Sequence, residues 1–144
     1  MRFEEVITIQ APAEQIFSVY TEVSDWPKWD SDTVASSIDG PFEVGTTGKI
    51  KPEGQPVTPI TLTEMTPNKS FTVECKLPLC KMQFVHEMSN RGNGAEVKNI
   101  VLFTGLLSPV FGFLIGSKIK KSMASSLQGL KSYVENSETV ASDS

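Results

Sequence analysis

An α+β fold with a single antiparallel sheet is predicted by three patterns in the 144-residue sequence. Apolar and polar residues alternate over residues 2–9, the same period of two runs from Thr33 to Phe103 between turn signals, and apolar residues recur at steps of three and four from Ile115 to Val134. A period of two turns one face of a strand toward a core, and a period near 3.6 turns one stripe of a helix toward it. The expectation is seven strands, two short helices between the first and second strands, and one long C-terminal helix.

The first strand turns Phe3, Glu5, Ile7 and Ile9 inward, so one carboxylate joins an apolar row. Ala11-Pro12-Ala13-Glu14-Gln15 then opens a short helix. Pro12 suits a first turn that needs no N–H donor, Glu14 complements the N-terminal dipole, and Ile16, Phe17, Val19 and Tyr20 follow at helical spacing to an end near Thr21. In Asp25-Trp26-Pro27-Lys28-Trp29-Asp30, Pro27 fits the first position of a second short helix or turn, and the two indoles lie three residues apart to anchor one end of the core.

Asp39-Gly40-Pro41, Lys51-Pro52-Glu53-Gly54, Thr66-Pro67-Asn68, Leu77-Pro78 and Asn90-Arg91-Gly92-Asn93-Gly94 cut the alternating region into strands expected at 33–38, 46–51, 57–65, 69–76, 81–89 and 95–104. Connections this short join neighbouring antiparallel strands into a meander. Ser108-Pro109 reads as the start of the long helix, whose stripe is Ile115, Ile119, Met123, Leu127, Leu130 and Val134. It spans roughly 25 residues, near 40 Å at the helical rise. Gly129 within it marks either close packing or a bend. One domain over residues 1–136 and a disordered tail over 137–144 complete the expectation.

Composition narrows the function. Hydrophobic residues are 39% of the chain and charged ones 21%, as in an ordinary globular domain. Thirteen basic against seventeen acidic residues give a net charge of −4, which repels phosphate backbones and argues against a nucleic-acid partner. One histidine and two cysteines do not make the usual zinc site, so neither metal nor cofactor is expected. The longest apolar stretch, Leu106–Gly116, has 11 residues, too few for a transmembrane segment, and the N-terminus lacks the apolar core of a signal peptide, so a cytoplasmic protein is expected. In a reducing cytosol Cys75 and Cys80 read as idle thiols, with a hairpin disulfide as the other option.

The segments Ile9-Gln10-Ala11-Pro12-Ala13-Glu14-Gln15-Ile16-Phe17, Trp26-Pro27-Lys28-Trp29 and Leu127-Gln128-Gly129-Leu130-Lys131, in this order of elements, resemble the START-like (SRPBCC) superfamily of Bet v 1-like folds. The polyketide cyclase/dehydrase branch is the most similar. The resemblance implies a helix-grip: a curved sheet wrapped around the long helix, with an apolar cavity between them for a small hydrophobic molecule such as a lipid, a polyketide or an aromatic. Its fold-mates include lipid-transfer domains, aromatase/cyclases and chaperone activators, so fold alone does not choose among them. The residue pattern points the same way, because seven strands present more inner surface than one helix can fill.

Alternation assigns a lining to that cavity: Ile60 and Leu62, then Phe71 and Val73, then Met82, Phe84 and Met88, then Val101 and Phe103, with Phe111, Ile115, Ile119 and Met123 on the helix and Trp26 and Trp29 at one end. His86 and Asn99 fall on the same inward series as Met82 and Val97. The resemblance places the first strand beside the last and the last beside its predecessor, which makes Glu5, Asn99 and His86 neighbours. Two readings of this trio stay open. A buried Glu5 with a raised pKa and a His86 near its reference value of about 6.5 would suit a cofactor-free cyclase or dehydratase. A satisfied polar cluster that orients a carried ligand is the other. A protein-interaction module of the chaperone-activator type is a third function class, and the start of the long helix, apolar on nearly every side at Val110, Phe111, Phe113, Leu114 and Ile115, suggests a cavity mouth or a homodimer contact.

Overall fold

The computed structural model describes residues 1–143, with side chains described through residue 136. The order of elements is β1 (Arg2–Ile9), α1 (Ala13–Thr21), a 3-10 helix (Val23–Lys28), β2 (Thr33–Ile38), β3 (Thr47–Pro52), β4 (Thr58–Thr66), β5 (Ser70–Leu77), β6 (Cys80–Arg91), β7 (Gly94–Thr104) and α2 (Ser108–Asp143). The tail expected over 137–144 falls outside the residues whose side chains are described. The sheet order is β1-β7-β6-β5-β4-β3-β2, antiparallel throughout. Six strands thus form a meander, and β1 closes on the last of them.

Turn chemistry sets the strand ends. Asn68 and Gly92 take positive φ angles of 65° and 59° in the tight connections before β5 and β7, conformations that Asn and Gly accept at least cost. Register shifts between Thr33 and Ala35 and between Leu62 and Glu64 interrupt the ladder on the β2–β4 side, and such bulges increase local twist and curl the sheet. The helix-grip follows: α2 lies along β1 and β7, with lesser contact to β6.

Within α2 the two halves pack differently. Met123, Leu127, Leu130 and Val134 are buried, whereas Phe111, Ile115 and Ile119 on the same apolar stripe stay partly exposed. The helix is held along its length by Gly116 against the Phe3 ring and by Gly129 against the Trp29 backbone carbonyl. Lys131 donates to the Thr8 carbonyl at 3.0 Å, and Ser122 donates to Asp32 at 2.8 Å. Close packing is therefore what Gly129 serves. Pro27, expected at the first position of its helix, instead lies late in the 3-10 helix, which begins four residues earlier at Val23 and whose first turn is closed by the Asp25 N–H on the Glu22 carbonyl. Cys75 and Cys80 are both free and buried, and burial pushes the Cys75 thiol up, with the nearby Cys80 and Glu74 adding to the effect.

Candidate functional site

Phe71, fully buried on β5, is the centre of the aromatic interior. Its ring stacks on His86 with centroids 4.1 Å apart and planes 5° from parallel, and it meets Tyr20 at 4.9 Å, Phe42 at 5.2 Å and Phe17 at 6.4 Å. Phe42 reaches this group from the β2–β3 connection, and no periodic pattern in that loop announces it. Trp26 is fixed structurally, because its Nε1 donates to the Tyr20 backbone carbonyl at 2.9 Å.

The sheet register brings the sequence-selected polar residues into one row. Glu5 stands opposite Asn99, Asn99 opposite His86, and His86 opposite Phe71, so four adjacent strands contribute one residue each to a single face. The trio is not uniformly buried. Asn99 is 8% exposed, whereas the Glu5 side chain is 27% exposed and faces Lys120 of α2, with 4.0 Å between Oε1 and Nζ. The expectation of a buried Glu5 is corrected: β1 is an edge strand, and α2 covers it only partly.

Among the described residues, four buried side-chain polar atoms make no hydrogen bond of good geometry: Tyr20 Oη, Trp29 Nε1, His86 Nδ1 and Asn99 Oδ1, with the Asn99 side chain close enough to act on the Tyr20 hydroxyl. They belong to one neighbourhood. The Tyr20 ring lies 5.6 Å from Trp29 and 5.2 Å from His86, and Asn99 is the direct cross-strand neighbour of His86. Burial raises the Tyr20 hydroxyl well above the ordinary tyrosine range, with the Asn99 side chain pulling the other way, so the phenol is neutral. Burial likewise lowers His86 to about 4, against the opposing influence of the Phe71 and Phe84 backbones. The expected histidine near 6.5 is thus corrected to one that is neutral at pH 7, because its ring is stacked among apolar rings with no counter-charge beside it.

A measurable consequence follows from that depressed value. As pH falls below about 6.5 the unfolded chain protonates its histidine while the folded chain holds off until about 4, so stability is complete above the upper value and is lost across this window. At 1.36 kcal/mol per pKa unit this amounts to about 3 kcal/mol. Urea unfolding of wild type and His86→Phe at pH 7 and pH 4 isolates the effect, since other groups titrate in both proteins. The wild type is expected to lose about 3 kcal/mol more than the variant, and equal losses would remove the claim that His86 is buried neutral.

The remaining sequence-selected residues divide by position. Ile60, Leu62, Phe71, Val73, Met82, Met88, Val101, Phe103 and Met123 are buried, as are Trp26 and Trp29, whereas Phe84, Phe111, Ile115 and Ile119 are only partly covered. These four pack against the buried core from β6 and from the first half of α2. A groove of about 690 Å³ lies elsewhere, lined by polar side chains such as Lys69, Glu87, Glu96 and Lys98 near the start of α1. Glu87, Ser89 and Arg91 of β6 and Glu96 and Lys98 of β7 alternate with His86 and Asn99, so the groove belongs largely to the other face of the sheet, although Met88 and Asn90 come from the His86 face. Sequence reasoning missed Tyr20 as a site residue. The signal was present, since a hydroxyl sits among Ile16, Phe17 and Val19 on an apolar helical face. Among the described residues no group of His, Cys, Asp and Glu has the makings of a metal site, and no helix is long and apolar enough to cross a membrane.

Comparisons with known proteins agree with this architecture. The family model for "Polyketide cyclase / dehydrase and lipid transport" matches residues 1–135. No curated protein matches the sequence. Among solved structures, the di-domain ARO/CYC BexL from the BE-7585A biosynthetic pathway is similar with a TM-score of 0.76 at 19% identity, over 94% of this chain and 46% of that one. This chain thus spans less than half of that di-domain protein. A START superfamily protein from Mycobacterium smegmatis gives 0.71 at 16% identity over 92% and 98% of the two chains. The Aha1 dimer from Colwellia psychrerythraea gives 0.70 at 20% identity over 94% and 96%. At these identities the likenesses show the fold, and the family match goes further: the chain belongs to the polyketide cyclase/dehydrase and lipid-transport family.

Proposed function

We propose that the protein binds and carries a small hydrophobic molecule bearing a hydroxyl or a keto–enol pair, held between the sheet and the first half of α2. The observation that carries this reading is the group of four unpartnered polar atoms in an apolar interior. Each orphaned buried group costs about 1–3 kcal/mol, and such a cost is retained where a bound molecule removes it. The chemistry of the four atoms specifies their complement. Trp29 Nε1 only donates and Asn99 Oδ1 only accepts, while neutral His86 and Tyr20 can do either, so the matching group both accepts and donates. Phe84, Phe111, Ile115 and Ile119, left partly open, supply the apolar contact and the way in. The family's range, hydrophobic ligand binding or polyketide cyclase-type activity, includes such a ligand.

The row of Glu5, Asn99 and His86 also keeps an acid–base pair on one face, which is the observation in favour of cofactor-free cyclisation or dehydration. A histidine with a pKa of about 4 is a weak base at neutral pH. Its stronger role is as a neutral hydrogen-bonding partner, which is why carrying leads.

Titration with 2-naphthol and with naphthalene, followed by native mass spectrometry and thermal shift, tests the carrying reading. The hydroxylated ring is expected to bind about tenfold more tightly. Tyr20→Phe removes one of the four polar atoms, so this variant is expected to lose most of the preference for naphthol. Equal affinity for the two rings would sink the polar part of the reading, and binding of neither, with no co-purifying molecule, would sink the whole.

A further inference from the structure

Among the described residues, apart from scattered valines, every large hydrophobic side chain left exposed is at one end of the molecule: Met1, Leu79, Leu106, Phe113 and Leu114, with Phe113 86% and Leu106 80% exposed. Val110 joins them on α2. These residues are distant in sequence but contiguous. The N–H of Leu107 donates to the Leu79 carbonyl at 3.0 Å, the N–H of Phe103 donates to the Met1 carbonyl at 2.9 Å, and the Met1 thioether lies against Gly112. Exposed apolar area of this kind, concentrated and not scattered, marks a surface that meets something.

Charge identifies the partner. At 100° per residue Val110, Phe113, Leu114, Ser117 and Lys121 share one outer stripe of α2, and Lys118 and Lys120 occupy its two shoulders. No Asp or Glu occurs between Glu96 and Glu135, nor between Glu74 and Glu87, although the chain as a whole carries a net charge of −4. The cations are therefore segregated to the apolar end. Lysines one or two turns above a row of exposed Phe and Leu can bury their stems and hold their ammonium groups at phosphate level.

We propose that this end of the protein, the outer face of the first turns of α2 with the β5–β6 turn, docks on an anionic lipid bilayer. Phe113, Leu114 and Leu106 enter the headgroup boundary, and Lys118 and Lys121 meet the phosphates, while Lys120 on the other shoulder faces Glu5. The rest of the acidic surface is repelled, which fixes the orientation. A second copy of the chain fits the same face poorly. A two-fold contact along the stripe would bring the lysines of the two helices together, and about six apolar side chains fall short of the roughly 20–30 residues that a stable interface uses on each side. The docking does not depend on the ligand reading, since every residue it uses is on the outer surface.

Vesicle flotation tests it directly. Wild type is expected to float with vesicles of phosphatidylcholine containing about 30% phosphatidylglycerol, to stay behind with phosphatidylcholine alone, and to be released at about 0.5 M salt. The double variant Phe113→Ser/Leu114→Ser and the double variant Lys118→Glu/Lys121→Glu are each expected to lower partitioning by about tenfold or more. All four positions are exposed, and unchanged circular-dichroism melting confirms that both variants fold. Failure of wild type to float with the anionic vesicles overturns the proposal, as does flotation that neither variant weakens. A concentration-dependent dimer that the Ser variant dissociates, with no vesicle binding, would assign the face to a second copy.

Discussion

Gly129→Ala is expected to destabilise the protein by about 4 kcal/mol or more, although alanine is the better helix former by about 1 kcal/mol. The two forces on this residue oppose each other, and the distances decide the sign. A Cβ at position 129 would lie 1.9 Å from the Trp29 carbonyl oxygen and 3.2 Å from its carbon. Those are backbone atoms at the end of the 3-10 helix, held by the Trp29 N–H to the Trp26 carbonyl at 3.2 Å and by the Asp30 N–H to the same carbonyl at 2.9 Å, so they cannot swing aside as a side-chain tip can. Relief requires α2 to lift. Lifting exposes Leu127, Leu130 and Val134, each now at most 2% exposed, and each worth about 1.5–3 kcal/mol of burial. Urea unfolding followed by far-ultraviolet circular dichroism measures the outcome, and a variant as stable as wild type would show that helix and turn do not touch here.

Phe71→Ala is expected to cost about 3–5 kcal/mol, the range for deleting a fully buried aromatic ring. Phe71 is 0% exposed, and its ring touches aromatic partners from α1, the 3-10 helix, the β2–β3 connection and β6, so no single neighbour can collapse into the void. The loss also reaches the candidate site. Without the stacked ring, His86 gains freedom, and water entering the space would raise its pKa from about 4 toward the solvent value. Chemical denaturation gives the first quantity, and a histidine proton titration by NMR gives the second. Phe71→Leu, which keeps most of the volume, is expected to show a smaller version of both. An alanine variant with an unchanged His86 titration would mean that burial by other residues, not the Phe71 stack, holds the imidazole neutral.

Most of the fold was legible because its causes are local. The turns at Thr66-Pro67-Asn68 and at Asn90–Gly94 come from residues that accept unusual backbone angles, and the strands between such turns end within a residue or two of where the alternation stops. Inward and outward faces were readable for the same reason, since the pleat has a period of two whatever the strand is paired with. Alternation alone therefore puts Glu5, His86 and Asn99 on inward faces, independent of register. Tyr20 was readable in principle, as a hydroxyl on an apolar helical face, but whether that hydroxyl finds a partner depends on rings brought in from β5, β6 and the 3-10 helix.

Charge states and the uncovered face of α2 depend on packing between distant segments. Glu5 and His86 occupy equivalent inward positions in sequence, yet one faces Lys120 at a partly covered edge and the other is stacked against Phe71 in the interior. The first turns of α2 are apolar on nearly every side, so periodicity gives no way to tell their inner flank from their outer stripe. Alternation, turn chemistry and family membership were thus determined by the sequence itself, because each arises within a few residues or a contiguous pattern. The row across β1, β7 and β6, the neutral histidine, the unpartnered polar atoms and the exposed apolar end were decided only when residues nearly a hundred positions apart came together, because burial and pairing are properties of the space between segments.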